Sequence, residues 1–239
     1  MPNPTAAMLV IGDEILSGRT RDNSPAKWCM LASRVGITLS EVRVVSDDAP
    51  AIVAAVQALS AGFDTVITSG GIGPTHDDIT ADCIAKAFGV SIDVREDARA
   101  LLAAHYERQG TTLNEARLRM ARIPDTATLI DNPVSVAPGF TLGNVHVMAG
   151  VPAVFQAMVA TVLPTLTGGQ PLLSETLRVE RGEGDIAGPL ADVAARFPDL
   201  SLGSYPFQKD GKFGSNLVVR GPDATMLDRA MAELKALFA

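Results

Sequence analysis

"DTVITSGGIGPTHDDITAD", Asp64 to Asp82, carries a β-branched run into Gly70, Gly71 and Gly73 and out again into a helical pattern. A short apolar run bounded by glycines reads as a buried strand, and the residues from about Asp77 to Phe88 read as the helix that follows it. Glycines between a strand and a helix let the backbone approach a ligand and leave N–H groups free to cradle an anion such as phosphate. Asp77, Asp78 and Asp82 crowd the same turn and oppose an anion. A divalent cation resolves the conflict, because a hard cation takes carboxylate and phosphate oxygens together, and Mg²⁺ is the natural ion for that role.

Working outward, the flanking sequence repeats the same unit. Residues 6–12 predict a strand, 24–36 a helix ended by Gly36, 38–48 a strand, 49–62 a helix and 64–71 the third strand. This alternation belongs to an α/β fold with a mainly parallel sheet and crossover helices. Each strand ends in Gly or Asp, and the carboxyl ends of parallel strands are where ligands sit. Residues 96–123 are helical in pattern, interrupted by a Gly-Thr-Thr turn and stopped before Pro124. A Pro-rich extended stretch, a strand over 144–150 and a helix over 151–166 follow. "TGGQP", 167–171, reads as a linker. Residues 172–239 then read β, α, β, β, α, a small α+β domain of split βαβ character. Its middle strands meet across "QKDGK", where Asp210 and Gly211 signal a hairpin turn.

A formal net charge of -7 gives no basic surface for nucleic-acid phosphates or anionic membrane, so neither is an expected partner. No apolar run approaches the roughly 18 residues of a spanning helix. The opening "AAMLVIG" lacks the basic flank of a signal segment, and a cytoplasmic location is the expectation. Cys29 and Cys83 have neither metal-ligand nor redox spacing and read as reduced, buried thiols.

The Gly-rich turn is not a dinucleotide fingerprint, since no third glycine follows at the required spacing, and no Walker A sequence occurs. Thr75 with Asp78 three residues later fits a capping box. Capping explains one aspartate and leaves Asp77 and Asp82 unexplained, and the predicted helix puts Asp78 and Asp82 one turn apart on one face. "GDEILSGRTRDN" adds Asp13 and Glu14 after the first strand. "SDD" adds Asp47 and Asp48 after the second, where helix capping and function compete evenly. Arg19 and Arg21 could reach an anionic ligand. His76 is a candidate base or phosphate donor, but no Ser/His/Asp triad is indicated. His105 and His146 read as structural, Trp28 as core, and Arg117, Arg119 and Arg122 as a solvated helix surface.

Taken in order and spacing, "GDEILSGRTRDNS", "VSDD", "TSGGIGPTHDDITAD" and "DNPVSVAPGF...AGVPAVFQAM" resemble the amino-terminal domain of the competence/damage-inducible protein A (CinA) family. That domain belongs to the molybdopterin-binding MoaB/MogA group. The resemblance covers residues 5–166, and the unit over 172–239 resembles the second domain of CinA-like chains. It implies a three-layer α/β fold that binds a pterin, such as molybdopterin, or a nucleotide, with phosphate or pyrophosphate at the Gly-rich loop, and a homo-oligomer. Gly70, Gly71, Gly73, Asp77, Asp78 and Thr80 match the family's motif best, followed by Asp13, Glu14 and Asn23. Ser69 and Thr75 of the same loop join this ligand-binding set, and Pro138 and Gly139 would lie on the ligand side. The family's Pro-Gly-Val-Pro is followed by an acid; here Ala149, Gly150, Val151 and Pro152 lead into Ala153, Val154 and Phe155. The family's carboxy-terminal nicotinamide-mononucleotide deamidase domain has no counterpart in the sequence, so deamidation is not expected.

The leading expectation is a metal-dependent hydrolase of a nucleotide pyrophosphate such as ADP-ribose. Asp78 and Asp13 would hold the metal and position water, Asp77 would be a second metal-side acid, and Gly70 to Gly73 would cradle the phosphate. The alternative is a non-catalytic molybdopterin- or nucleotide-binding protein, which the missing acid near Val154 favours. A molybdopterin adenylyltransferase is the weaker third reading.

Overall fold

Strand β1 (Thr5–Ile11) is buried from Ala6 to Ile11 without alternation, as a strand covered on both faces must be. A computed structural model describes residues 3–209 and 211–238 of the chain. After β1 come the short helix α1 (Asp13–Leu16), α2 (Ser24–Arg34), β2 (Thr38–Val45), α3 (Ala49–Gly62), β3 (Thr65–Ser69) and α4 (Thr80–Phe88). The chain continues through β4 (Ile92–Val94), α5 (Glu96–Arg108), α6 (Glu115–Leu118), β5 (Arg122–Pro124), β6 (Thr128–Ile130), β7 (Gly139–Leu142), β8 (Val145–Met148) and α7 (Pro152–Val162).

The main sheet runs in the order β2-β1-β3-β8-β7-β6. Its first four strands are parallel, and β7 and β6 close it antiparallel. Alternate side chains of β1 enter opposite layers, following the two-residue period of a strand. Ala7, Leu9 and Ile11 pack with Ile52, Val56 and Leu59 of α3 and Ile84 of α4. Ala6, Met8 and Val10 pack with Trp28 of α2 and Phe155, Met158 and Val159 of α7. The expected three-layer α/β fold is the one formed. Residues 122 and 123 depart from the expected helix: with Pro124 they pair with β4 as a two-stranded ribbon, because buried Ile123 suits a strand and the residue before a proline is disfavoured in a helix.

The chain divides into two compact units after Gly169. The second contains β9 (Leu173–Val179), α8 (Glu183–Arg196), β10 (Ser201–Lys209), β11 (Lys212–Gly221) and α9 (Ala224–Phe238). Its antiparallel sheet has the order β10-β11-β9, and Ile186, Val193, Leu217, Leu227 and Leu234 lie in a core of its own. β10 and β11 pair as the predicted hairpin, whose Asp210 lies outside the described residues. Among the described residues no helix is long and apolar enough to cross a membrane.

Candidate functional site

The chain leaves β1 toward β2 and leaves β3 in the opposite direction, so a crevice opens outside the carboxyl ends of β1 and β3. A cavity of about 350 Å³ lies there, and its lining includes Gly12, Glu14, Thr20, Asp47, Gly70, Gly71, Asp77 and Asp78. Gly70 and Gly71 have φ of 109° and 67°, values that L side chains rarely adopt. A Cβ on Gly70 would lie 2.1 Å from Ile11 O, and one on Gly71 would lie 2.1 Å from Thr80 Oγ1. These two glycines are therefore required by the fold itself. Thr80 is buried beneath the loop; its Oγ1 donates to Gly70 O at 3.0 Å and its N–H donates to Gly71 O at 3.0 Å. The N–H groups of Gly71, Ile72 and Gly73 donate to no group among the described residues. Thr80, expected to touch ligand, instead pins the loop that could.

The helix begins later than the sequence predicts. α4 starts at Thr80 with no side-chain cap, and residues 77–79 remain in the loop. Half of the expected capping box forms: the Thr75 N–H donates to Asp78 Oδ2 at 2.8 Å, but the Thr75 hydroxyl donates to the same oxygen at 2.5 Å, and Asp78 N donates to Thr75 O at 3.3 Å in place of the hydroxyl. Asp78 Oδ1 accepts no hydrogen bond among the described residues. Asp78 and Asp82 consequently do not share a helix face, and Asp82 pairs with Arg122. The Thr75 hydroxyl also lies close enough to exposed Asp77 to hold that carboxyl below its usual range.

Two adjacent aspartates at the end of β2 divide their labour. Asp48 caps α3, its Oδ2 accepting from Ala51 N at 3.0 Å, while Asp47 turns into the cavity. Asp47 Oδ2 accepts from Asp13 N at 3.0 Å, and Asp47 N donates to Asp13 Oδ1 at 3.4 Å, which ties the ends of β1 and β2 together. Burial raises the Asp47 pKa, and the charges of Asp13, Glu14 and Asp77 raise it further against the lowering effect of the Asp13 N–H. Asp13 thus reaches the site through Asp47. Among the described residues, no group of three or more His, Cys, Asp or Glu side chains is arranged to hold a metal ion.

The other flank of the loop carries groups read from the sequence as solvated. The chain leaves α6 through a 3-10 turn (Arg119–Ala121) into β5. This turns Arg119 and Arg122 onto the loop and α4: Arg119 Nη2 donates to Asp78 O at 3.3 Å, and Arg119 Nε is buried without a partner. Pro138 lines the small recess between them, and Gly139 beside it is buried in β7. The preceding loop is held by buried Asn132, which accepts from Val134 N and Ser135 N and donates to Ser135 Oγ and Ala137 O. Val136 there is the one non-glycine with positive φ among the described residues.

Ser69 is buried at the end of β3, and exposed Asn23, which precedes α2, is not among the cavity's lining residues. His76 is exposed on the loop, Trp28 is fully buried as expected, and Cys29 is exposed, unlike buried Cys83. Thr20, Gly150, Val151 and Pro152 line the cavity without having been singled out individually as ligand residues, although all fall in the quoted motifs.

Residues 7–168 match the family described as a probable molybdopterin binding domain, and residues 171–239 match the middle domain of FAD synthase. A probable FAD synthase of Caenorhabditis elegans is 33% identical, with 98% of this chain and 50% of that protein covered. The chain thus spans about half the length of that relative. A CinA-like protein of Citrifermentans bemidjiense is 37% identical over 68% of this chain and 40% of its own length. The crystal structure of CinA from Thermoplasma acidophilum, a protein described as of unknown function, superposes with a TM-score of 0.63. It is 33% identical, over 68% of this chain and 97% of that one. The FAD synthase likeness extends the kinship beyond the one read from the motifs.

Proposed function

This chain belongs to the probable molybdopterin binding domain family, and from that premise we propose that its Gly-rich loop binds and hydrolyses a nucleotide pyrophosphate such as ADP-ribose. The observation that carries the reading is that the unengaged Gly71 N–H lies at one cavity with the carboxylates of Glu14, Asp47, Asp77 and Asp78, while the unengaged N–H groups of Ile72 and Gly73 follow in the same loop beside Asp78. N–H groups suit phosphate, and carboxylates of like charge suit a cation beside it.

The donor set fits Mg²⁺ in particular. Mg²⁺ is typically held by one or two carboxylates together with substrate phosphates and water, so a preassembled protein cage is not required. Asp78 through Oδ1 and Asp13 beside Asp47 would hold it. When bound, such a cation polarises a phosphoryl oxygen and lowers the pKa of bound water. The protein's own part is positional. Thr80 fixes the loop, Thr75 orients Asp78 by taking Oδ2 and so leaves Oδ1 for the cation, and Asp77 in the cavity wall would position the attacking water. That water's oxygen bonds to phosphorus as the bridging P–O bond breaks, its proton passes to solvent, and AMP and a ribose phosphate leave.

The pyrophosphate-AMP half of ADP-ribose recurs in FAD, the compound named by the Caenorhabditis relative, which makes FAD the second substrate to try. A non-catalytic role, holding molybdopterin or a nucleotide, is favoured by one observation: Val151 and Pro152 line the cavity where the family carries an acid just beyond. A homo-oligomer remains part of the proposal. Purified protein incubated with ADP-ribose or FAD and a panel of divalent cations should release AMP, and Asp78→Asn should abolish the release with the fold intact. Tight ligand retention without turnover would replace hydrolysis by the binding role.

A further inference from the structure

A row of polar residues runs from buried His146 to exposed Thr128 at the sheet's β6 edge. His146 of β8 is paired with Ile67 of β3 on one side and Thr141 of β7 on the other, and Thr141 is paired with Thr128 of β6. Residues paired across adjacent strands share a face. Ile67 packs with the α2 and α7 side chains, so the polar row faces that layer. The end of α7 and the 3-10 turn after it (Leu163–Thr165) add Thr161 and Thr165 around a cavity of about 380 Å³. A second cavity, of about 800 Å³, shares His146 and Thr165.

His146 is 7% exposed, its Nδ1 lies 2.9 Å from Thr141 Oγ1, and its Nε2 has no partner among the described residues. A largely buried imidazole with one ring nitrogen left without a partner, facing two cavities, marks a place for a ligand. The chemistry of the walls selects its class. The single proton of Thr161 Oγ1 is taken by backbone carbonyls, Met158 O at 2.8 Å with Asp131 O at 3.3 Å, and Thr165 Oγ1 donates to Val162 O at 2.7 Å, so both oxygens have only lone pairs to offer a ligand. Asp131 is the one charged residue lining the smaller cavity and Asp64 the one lining the larger; neither cavity has a Lys or Arg among its lining residues.

We propose that this cavity is a second ligand site, remote from the Gly-rich loop, that takes a small organic cation such as an amidinium or primary ammonium compound. Thr161, Thr165 and Asp131 accept its N–H donors, and His146, donating from Nδ1 to Thr141, accepts through Nε2.

The test is an NMR titration of the full chain carrying ¹⁵N-histidine, with benzamidine, butylammonium and benzoate as probes. The His146 ring signals are assigned by their disappearance in His146→Gln. At least one of the two cations should shift the His146 Nε2 signal saturably, and benzoate should leave it in place. Thr161→Val should weaken that binding by about tenfold, roughly the worth of one hydrogen bond to a charged group, while the protein stays folded. An unmoved His146 signal with both cations, an equal response to benzoate, or full affinity in a folded Thr161→Val would overturn the assignment. AMP release at the Gly-rich loop plays no part in the readout.

Discussion

Gly71→Ala would place a methyl 2.1 Å from Thr80 Oγ1 and 3.2 Å from Thr80 Cβ at a backbone φ of 67°. The left-handed conformation costs about 1–2 kcal/mol for a residue with a Cβ. Overpacking against a buried side chain adds about 1–3 kcal/mol, for a total of about 2–5 kcal/mol. Thr80→Ala alone removes the hydroxyl that donates to Gly70 O and should cost about 1–3 kcal/mol, the range for a buried group left short of a partner. In the double variant the oxygen that the new methyl strikes is gone, while the conformational cost remains. The combined loss should therefore fall short of the sum by about 1–3 kcal/mol. Gly70→Ala serves as the control, since its methyl would strike the backbone oxygen of Ile11, an obstacle that truncating Thr80 leaves in place. Urea denaturation followed by Trp28 fluorescence reads this unit alone, because Trp28 is the single tryptophan and is buried in its core. Additivity of Gly71→Ala and Thr80→Ala within about 0.5 kcal/mol would refute the geometry on which the loop is built.

Two further predictions concern charge. Burial pushes the His146 imidazole down from 6.5 to about 4, so the unfolded chain takes up the proton first. Stability should decline as the pH falls from 6.5 toward 4, by about 3 kcal/mol once the interval is crossed. His146→Gln should flatten that part of the Trp28 denaturation profile; an unchanged slope would show that the titration belongs elsewhere. Asp47, whose pKa is raised by burial and by Asp13, Glu14 and Asp77, is more stable protonated in the folded protein than in the unfolded one. Its stabilising contribution is present at low pH and lost as the pH rises through its folded value. Asp47→Asn, which mimics the protonated state, should therefore raise the urea midpoint at pH 7 and diminish the stabilisation conferred by added Mg²⁺. A lower midpoint would mean that the hydrogen bond from Asp13 outweighs the repulsion.

The order of strands and helices in the main unit was legible because each apolar run ends in Gly or Asp, and the second unit because its β-α-β-β-α pattern has a clear turn. What escaped depended on which of two local options the tertiary structure chose. "SDD" cannot say which aspartate caps α3, and only the tie between Asp47 and Asp13 decides it. Arg119 and Arg122 were placed by an assumed helical period, which fails once the chain passes through a 3-10 turn into β5. Pro124 stopped the expected helix only at its own position, whereas a proline already disfavours helix in the residue before it.

The misplaced start of α4 is the most instructive of these departures, because the same residues give opposite chemistry in the two arrangements. In a helix's first turn, acids lie against the unpaired N–H groups and each satisfies the other. A site that must offer N–H groups to phosphate and carboxylates to a cation cannot let them meet. Thr75 prevents it by holding Asp78 Oδ2, and Thr80 prevents it from the other side by starting the helix and turning its hydroxyl back to Gly70 O. The N–H groups of Gly71 to Gly73 and Oδ1 of Asp78 are left unengaged by the same two threonines. The clash of charges that the sequence presents at this turn is thus kept open by the fold, and an open clash between donors and acids is what a phosphate and its cation together would close.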